Sequence, residues 1–172
     1  LVGSSGGGKS TLAALIPQDL RGEITVYDES VEAIDPTKIK ADIVGLTGIT
    51  GVSMRSYAYA EYFRRQGITT VMGGPHATLM PEEAAQHVDA VVIGHGYETW
   101  PRLLNDFCEG KMQKFYYPPA KIDWSLLPDP RRDFFSKKRF ITTNSTQAVF
   151  GCPNLCEFCV TPIICKGNYE RR

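Results

Sequence analysis

Three things that this 172-residue chain lacks narrow the classes of protein to which it can belong. It has no excess charge of either sign, because 19 Lys and Arg residues balance 19 Asp and Glu residues. Without a net field, we expect neither nucleic acid nor an anionic membrane surface as a partner. It also lacks any apolar run near the roughly 20 residues that span a bilayer, and no secretory signal is visible. We therefore expect no membrane span and a cytoplasmic location.

The chain has no initial methionine, and its first residue, Leu1, falls inside a predicted strand. We expect it to be a fragment of a longer protein, with room for one complete domain and part of another. It has five cysteines, an odd number, and three of them lie within eight residues. This pattern is typical of a metal site in a reducing compartment rather than of a disulfide framework.

Short apolar segments alternate with helical patterns over the first two-thirds of the chain. The predicted strands are residues 1–3, 23–29, 41–49, 69–74 and 89–96. One helix is predicted from Ser53, as its N-cap, to about Gln66, with Met54, Ala58 and Tyr62 on its apolar face and Gly67 as its stop. Such alternation predicts an α/β, Rossmann-like fold with a doubly wound parallel sheet.

A second helix is predicted from a cap at Thr99 to a stop at Gly110, with Cys108 buried in the core beside its apolar stripe. Pro-rich sequence then follows. We therefore divide the chain into a first domain over residues 1–117, a linker over residues 118–140, and the start of another domain over residues 141–172. Ligands of such sheets bind beyond the carboxyl ends of the strands, where this sequence places glycine-rich loops.

Cys152, Cys156 and Cys159 form a C-x-x-x-C-x-x-C motif after a predicted strand. Three closely spaced thiolates can bind three irons of a four-iron, four-sulfur (4Fe–4S) cluster and leave the fourth iron open. A structural zinc site requires four protein ligands, which Cys165 would have to complete here. Only one C-x-x-C pair is present, so the zinc-stabilised binding module is the second alternative.

The motif resembles the signature of the radical S-adenosylmethionine (SAM) superfamily, in which an aromatic residue, here Phe158, precedes the third cysteine. The resemblance implies that the 4Fe–4S cluster binds and cleaves SAM to generate a radical. It also implies a truncated (β/α) barrel whose first strand and cluster loop are present. A small-molecule substrate and an electron donor such as flavodoxin or ferredoxin are the partners that it implies.

The upstream segments "IVGLTGIT", "VMGGPHAT" and "VVIGHGYETW" resemble the cobalamin-binding domains that often precede radical SAM barrels. In that family the corresponding loops take the nucleotide tail of cobalamin. The resemblance therefore implies a cobalamin-dependent radical SAM enzyme that carries out methyl transfer or a radical rearrangement at an unactivated carbon. The cofactor-binding residues that it implies are Thr47, Gly48, Ile49, Thr50, Gly73, Gly74, Pro75, His76, Gly94 and Gly96, together with Phe158 near the cluster.

Two departures from that family matter. Many cobalamin domains carry a D-x-H-x-x-G motif after the first strand, but the corresponding loop here has no His, so we expect no imidazole from it below the cobalt. In "GHGYET", His95 replaces the first Glu of the usual G-E-G-E pattern. For His76, a solvated loop position is the alternative to cofactor binding.

Residues 3–10, "GSSGGGKS", match the phosphate-loop pattern G-x-x-x-x-G-K-[ST] at every fixed position. A P-loop ATPase is therefore the first alternative function, with Lys9 on phosphates and Ser10 on magnesium. Pro17 limits the following helix to about two turns, however, and the rest of the chain favours the cobalamin interpretation. We interpret these residues as a glycine-rich loop at the mouth of the cobalamin groove, where Lys9 can contact the tail phosphate.

Overall fold

The computed structural model describes residues 1–3, 9–16, 22–119, 127–131, 148–165 and 169–171. The strands are β1 (Val2–Gly3), β2 (Tyr27–Asp28), β3 (Ile43–Thr47), β4 (Thr69–Gly73), β5 (Ala90–Val92), β6 (Phe115–Tyr116), β7 (Val149–Gly151) and β8 (Tyr169–Arg171). The α-helices are α1 (Lys9–Ala14), α2 (Ser53–Arg65), α3 (Pro75–Leu79), α4 (Pro81–His87), α5 (Thr99–Cys108) and α6 (Thr161–Cys165). Short 3-10 helices cover Pro36–Lys38 and Thr50–Val52.

The first six strands form one parallel sheet in the order β2-β1-β3-β4-β5-β6. The longest pairing runs between β3 and β4, where Ile43 lies opposite Thr69 and Thr47 opposite Gly73. The strand order changes direction between β1 and β3, which makes the carboxyl ends of these two strands the topological switch point of the sheet. The prediction of an α/β fold with a parallel sheet is confirmed.

Successive strand residues pack on opposite faces of this sheet, as the pleat requires. Val44, Leu46, Met72 and Val91 join one apolar cluster, in which Phe63 of α2 is fully buried. Val71, Ala90 and Val92 join the other, with Trp100, Leu103 and Leu104 of α5. Helices therefore cover both faces, and the strands are buried on both sides.

Glycine ends both long helices where the sequence predicted. Gly67 and Gly110 have φ angles of 75° and 67°, and the N–H groups that follow them close Schellman-type bonds onto Phe63 and Asp106. The predicted apolar face of α2 was wrong, because Met54 is 75% exposed. The buried face contains Ser53, Ser56, Tyr57, Ala60 and Phe63.

Two capping predictions and one cysteine prediction also need correction. Ser53 is the first residue of α2 rather than its N-cap, and its hydroxyl donates to the carbonyl of Thr50 at 2.9 Å. Thr99 likewise is the first residue of α5, and its buried hydroxyl has no hydrogen-bond partner among the described residues. Cys108 is exposed rather than buried, because it lies at the solvent side of the last turn of α5.

β7 pairs antiparallel with β8, with Phe150 opposite Glu170. These two strands form a separate ladder in the part of the chain that the structure describes, and the barrel stays a prediction. Most of the predicted linker, residues 120–126 and 132–140, lies outside the described residues, as does most of residues 3–10. Among the helices that are described, none combines the length and apolar character that crossing a membrane requires.

Candidate functional site: a groove at the strand ends

A cavity of about 680 Å³ opens at the carboxyl ends of the central strands. Six of the residues predicted to bind a cofactor line it: Thr47, Gly73, Gly74, Pro75, Gly94 and Gly96. They come from the loops after β3, β4 and β5, which parallel pairing brings to one edge of the sheet. The cavity therefore lies where a doubly wound sheet binds its ligand.

Glycine leaves this groove open at its centre. A Cβ atom on residue 73 would meet nothing closer than Val92 Cβ at 3.5 Å, which is an ordinary contact. Residue 74 has a φ angle of 91°, and a Cβ atom there would lie 2.5 Å from Thr47 Oγ1. Gly73 therefore leaves free space for a ligand, whereas Gly74 is required by the fold itself.

Hydrogen bonds tie the three loops together. The His76 N–H donates to the Gly48 carbonyl at 3.3 Å, which joins the loops after β3 and β4. The Thr78 hydroxyl donates to the Gly74 carbonyl at 2.8 Å and accepts from the Gly94 N–H at 2.9 Å. The rim of the groove is thus held in place by backbone groups before any ligand binds.

Five predicted cofactor-binding residues lie outside the cavity wall: Gly48, Ile49, Thr50, His76 and Phe158. Ile49 and Thr50 are exposed, and Phe158 is 93% exposed. His76 is 2% exposed, so the alternative of a solvated loop histidine was wrong. Its ring lies between two side chains. Nε2 of the ring is 2.6 Å from Tyr57 Oη, and Nδ1 is 3.2 Å from Thr50 Oγ1.

The sequence did not identify Trp100 as part of the groove. Its ring packs over β3, where a Cβ atom on Gly45 would lie 3.3 Å from Trp100 Cη2. The Trp100 indole nitrogen is buried, and in the part of the chain that the structure describes it has no hydrogen-bond partner. A Trp at the second position of the helix after a glycine-rich loop was the available signal, but only the packing against Gly45 places it at the groove.

The far side of the cavity is formed by the cysteine segment. Cys152, at the end of β7, and Cys165, at the end of α6, both line it. Cys165 Sγ lies 3.8 Å from His95 Nε2. Burial lowers the pKa of His95, which favours its neutral form. Burial, and secondarily the proximity of Cys152, raises the pKa of Cys165.

The three predicted metal ligands do not converge. Cys152 is half-buried at the cavity, Cys156 is exposed, and Cys159 donates its N–H to the Cys156 carbonyl at 3.0 Å within a turn. Hydrogen bonds from the hydroxyl and the N–H of Thr161 lower the pKa of the Cys159 thiol. Within the described ranges, no three His, Cys, Asp or Glu side chains are arranged to hold a metal ion. The thiol set suits iron–sulfur chemistry, but the cluster site stays a prediction.

The groove suits the nucleotide tail of cobalamin. Such a tail presents an aromatic base and a sugar phosphate, which require a partly apolar slot and close backbone approach. The slot has apolar walls at Val71, Val92 and Trp100 and a glycine at its centre, Gly73, where a side chain would fill the space.

Comparison with known proteins agrees with this geometry. The B12 binding domain family matches residues 9–104, more than half of the chain. The chain belongs to this family. The prediction of a cobalamin-binding type of domain is thereby confirmed, and the match lies inside the predicted first domain, residues 1–117.

The chain is similar to three curated methyltransferases. It is 34% identical over 140 residues to bacteriochlorophyllide d C-8(2)-methyltransferase of Chlorobaculum tepidum, covering 75% of this chain and 30% of that protein. It is 26% identical over 155 residues to bacteriochlorophyllide d C-12(1)-methyltransferase of the same organism, covering 87% and 34%. It is 27% identical over 146 residues to an uncharacterised methyltransferase of Pyrococcus horikoshii, covering 71% and 32%. The chain spans about a third of the length of these relatives. No solved structure matches it at a significant level.

Proposed function

We propose that this chain is the cobalamin-binding part of a cobalamin-dependent methyltransferase of the radical SAM type. The observation that carries the proposal is the single cavity formed by the glycine loops after β3, β4 and β5 together with Cys152. Family membership supports cobalamin in this groove. The methyltransferase relatives favour methyl transfer over a radical rearrangement.

In this proposal the groove binds the nucleotide tail, and the cysteine segment binds a 4Fe–4S cluster. Cobalamin would supply a methyl carrier, and the cluster would supply the electron that cleaves SAM. The chain's own residues would bind the nucleotide tail and exclude water from the slot. Gly73 and Gly74 let the backbone approach the tail, and Val92 and Trp100 keep the slot apolar. A small-molecule methyl acceptor and an electron donor would complete the reaction.

Cobalamin titration of the chain and of Gly73→Val tests the proposal. We expect saturable binding, followed by its absorbance spectrum, to the unaltered chain and at least tenfold weaker binding to Gly73→Val. The Cβ atom of residue 73 finds ordinary contacts, so the variant should fold. Gly22→Val is the matched control, because Gly22 lies outside the cavity wall and a Cβ atom there would meet no described atom within 4 Å. Equal affinities in Gly73→Val and Gly22→Val would contradict the proposed groove.

A further inference from the structure

Four polar side chains form a hydrogen-bonded row behind the glycine loops: Glu83, Tyr57, His76 and Thr50. Tyr57 Oη lies 3.2 Å from Glu83 Oε1 and 2.6 Å from His76 Nε2, and His76 Nδ1 lies 3.2 Å from Thr50 Oγ1. The two middle members are 3% and 2% exposed. This polar row thus leads from Glu83 on α4, through the interior, to the exposed residue Thr50, three positions after Thr47 of the cavity wall.

For an ionised Glu83 and a neutral His76, each hydrogen bond of the row has one possible direction. An ionised Glu83 can only accept, so Tyr57 donates its one proton to it. Tyr57 Oη must then accept from His76, which places the imidazole proton on Nε2. Nδ1 of the neutral ring is left as an acceptor, and the Thr50 hydroxyl donates to it.

Packing holds this arrangement in place. The Tyr57 ring stacks on His87 with 3.9 Å between ring centroids. Burial, and secondarily the hydrogen bond to Glu83, raises the pKa of Tyr57 to about 12, so the phenol stays protonated. The backbone N–H of His76 is also fixed, on the Gly48 carbonyl at 3.3 Å. His76 therefore has little freedom to turn its Nδ1 away from Thr50.

A hydroxyl that donates inward has its remaining lone pairs available to accept from outside. We propose that His76 is a positioning residue, which makes Thr50 a hydrogen-bond acceptor for a primary amide of the corrin ring at the rim of the groove. The inference rests on the proposed function, since it concerns how the same groove binds cobalamin. His76 acts through Thr50, because the His76 side chain is buried whereas Thr50 is exposed.

Substitutions of His76 can separate the contact made by Nδ1 from the contact made by Nε2. His76→Asn keeps an acceptor oxygen near the position of Nδ1 but cannot reach Tyr57. His76→Gln keeps a group that reaches Tyr57 but leaves no acceptor beside Thr50. Thr50→Val removes the hydroxyl and keeps the shape, and Thr50→Ser restores it. Thr50 is exposed, so its variants should fold normally.

The measurement is the dissociation constant for cobalamin. We expect Thr50→Val and His76→Gln each to weaken binding about three- to tenfold, the effect of one hydrogen bond. Thr50→Ser and His76→Asn should bind within about twofold of the unaltered chain. The double variant His76→Gln/Thr50→Val should bind no worse than Thr50→Val alone, because both changes remove the same interaction.

A second probe tests the chemical class that Thr50 recognises. Cobalamin derivatives in which one amide is hydrolysed to a carboxylate lose a donor at one position of the ring. The unaltered chain should discriminate against at least one such monocarboxylate, and Thr50→Val should lose that discrimination.

The outcomes are distinguishable. Unaltered affinity in Thr50→Val, equal losses in both His76 variants, or additive losses in the double variant would overturn the role of His76. The absence of saturable cobalamin binding to the unaltered chain would overturn the proposed function, and this inference with it.

Discussion

Thr47 Oγ1 occupies the space that a Cβ atom on residue 74 would need, since the two would be 2.5 Å apart. Gly74 also has a φ angle of 91°, which L-residues with a side chain rarely adopt. The backbone that follows β4 can therefore pass this close to the Thr47 side chain at the end of β3 because residue 74 is glycine.

We accordingly expect Gly74→Ala to destabilise the fold by about 2 kcal/mol or more, combining left-handed strain with displacement of Thr47. The free energy of unfolding from urea denaturation measures the effect. Gly22 is exposed, has no positive φ, and has no close neighbour among the residues that the structure describes, so Gly22→Ala should change this free energy by less than about 0.5 kcal/mol. Similar values for the two variants would show that the contact between Thr47 and Gly74 relaxes without cost.

Local signals predicted most of the sheet and the groove. Gly67 and Gly110 end their helices because positive φ is a backbone property that residue identity reveals. Gly73 and Gly74 were predicted to bind the cofactor because their segment resembles that of cobalamin-binding domains, and parallel strands bring such loops to one edge of the sheet. In both cases the signal is a short segment of sequence around the glycine.

The sequence analysis did not predict features that depend on contacts between residues far apart in the chain. β6 is only two residues long and pairs with β5 in register Val92 to Tyr116, too short for a periodic pattern. Met54 was predicted on one face of α2 with Ala58 and Tyr62, but the helix packs on β3, β4 and α4 through the face of Tyr57 and Phe63 instead. The burial of His76 depends on Tyr57, nineteen residues away, which no local pattern shows.

The neighbouring residues Tyr116 and Tyr117 allow a matched comparison of how a buried and an exposed tyrosine hydroxyl affect the free energy of unfolding. Tyr116 is fully buried, its hydroxyl donates to Asp106 Oδ2 at 2.9 Å, and it accepts from the Gln113 N–H at 3.0 Å. Tyr116→Phe leaves both partners without this bond, and we expect a loss of about 1–3 kcal/mol in unfolding free energy. Tyr117 is 59% exposed, so Tyr117→Phe should stay within about 0.5 kcal/mol. An equally small effect in Tyr116→Phe would mean that Asp106 finds another donor.

The phosphate-loop pattern gives a prediction about nucleotides. A strand, β1, ends at Gly3 and a helix, α1, begins at Lys9, but the helix has only six residues. We expect no saturable heat when ATP and magnesium are titrated into the chain. Lys9→Ala should weaken cobalamin binding by at most about 1.5–3 kcal/mol, the effect of one charged hydrogen bond. A micromolar ATP affinity that disappears in Lys9→Ala would favour the ATPase instead.

The cysteine segment carries the prediction on which the radical SAM part of the proposal depends. Cys152, Cys156 and Cys159 lie on one stretch between β7 and α6, and Cys152 borders the cavity that contains the glycine loops. We expect the chain to take up iron and sulfide without oxygen, as one 4Fe–4S cluster. Alanine at any of the three positions should sharply reduce iron content, because each thiolate binds one iron.

Two further cysteines serve as controls for that measurement. Cys108 is exposed at the end of α5, and Cys165 lies 3.8 Å from His95. Cys108→Ala and Cys165→Ala should both retain the iron content of the unaltered chain. Because the fourth iron has no protein ligand, oxygen degrades such a cluster easily. Protein prepared in air should therefore be pale and poor in iron. Tightly bound zinc that requires Cys165, without any iron uptake, would instead identify the segment as a structural zinc site, since zinc takes four protein ligands there.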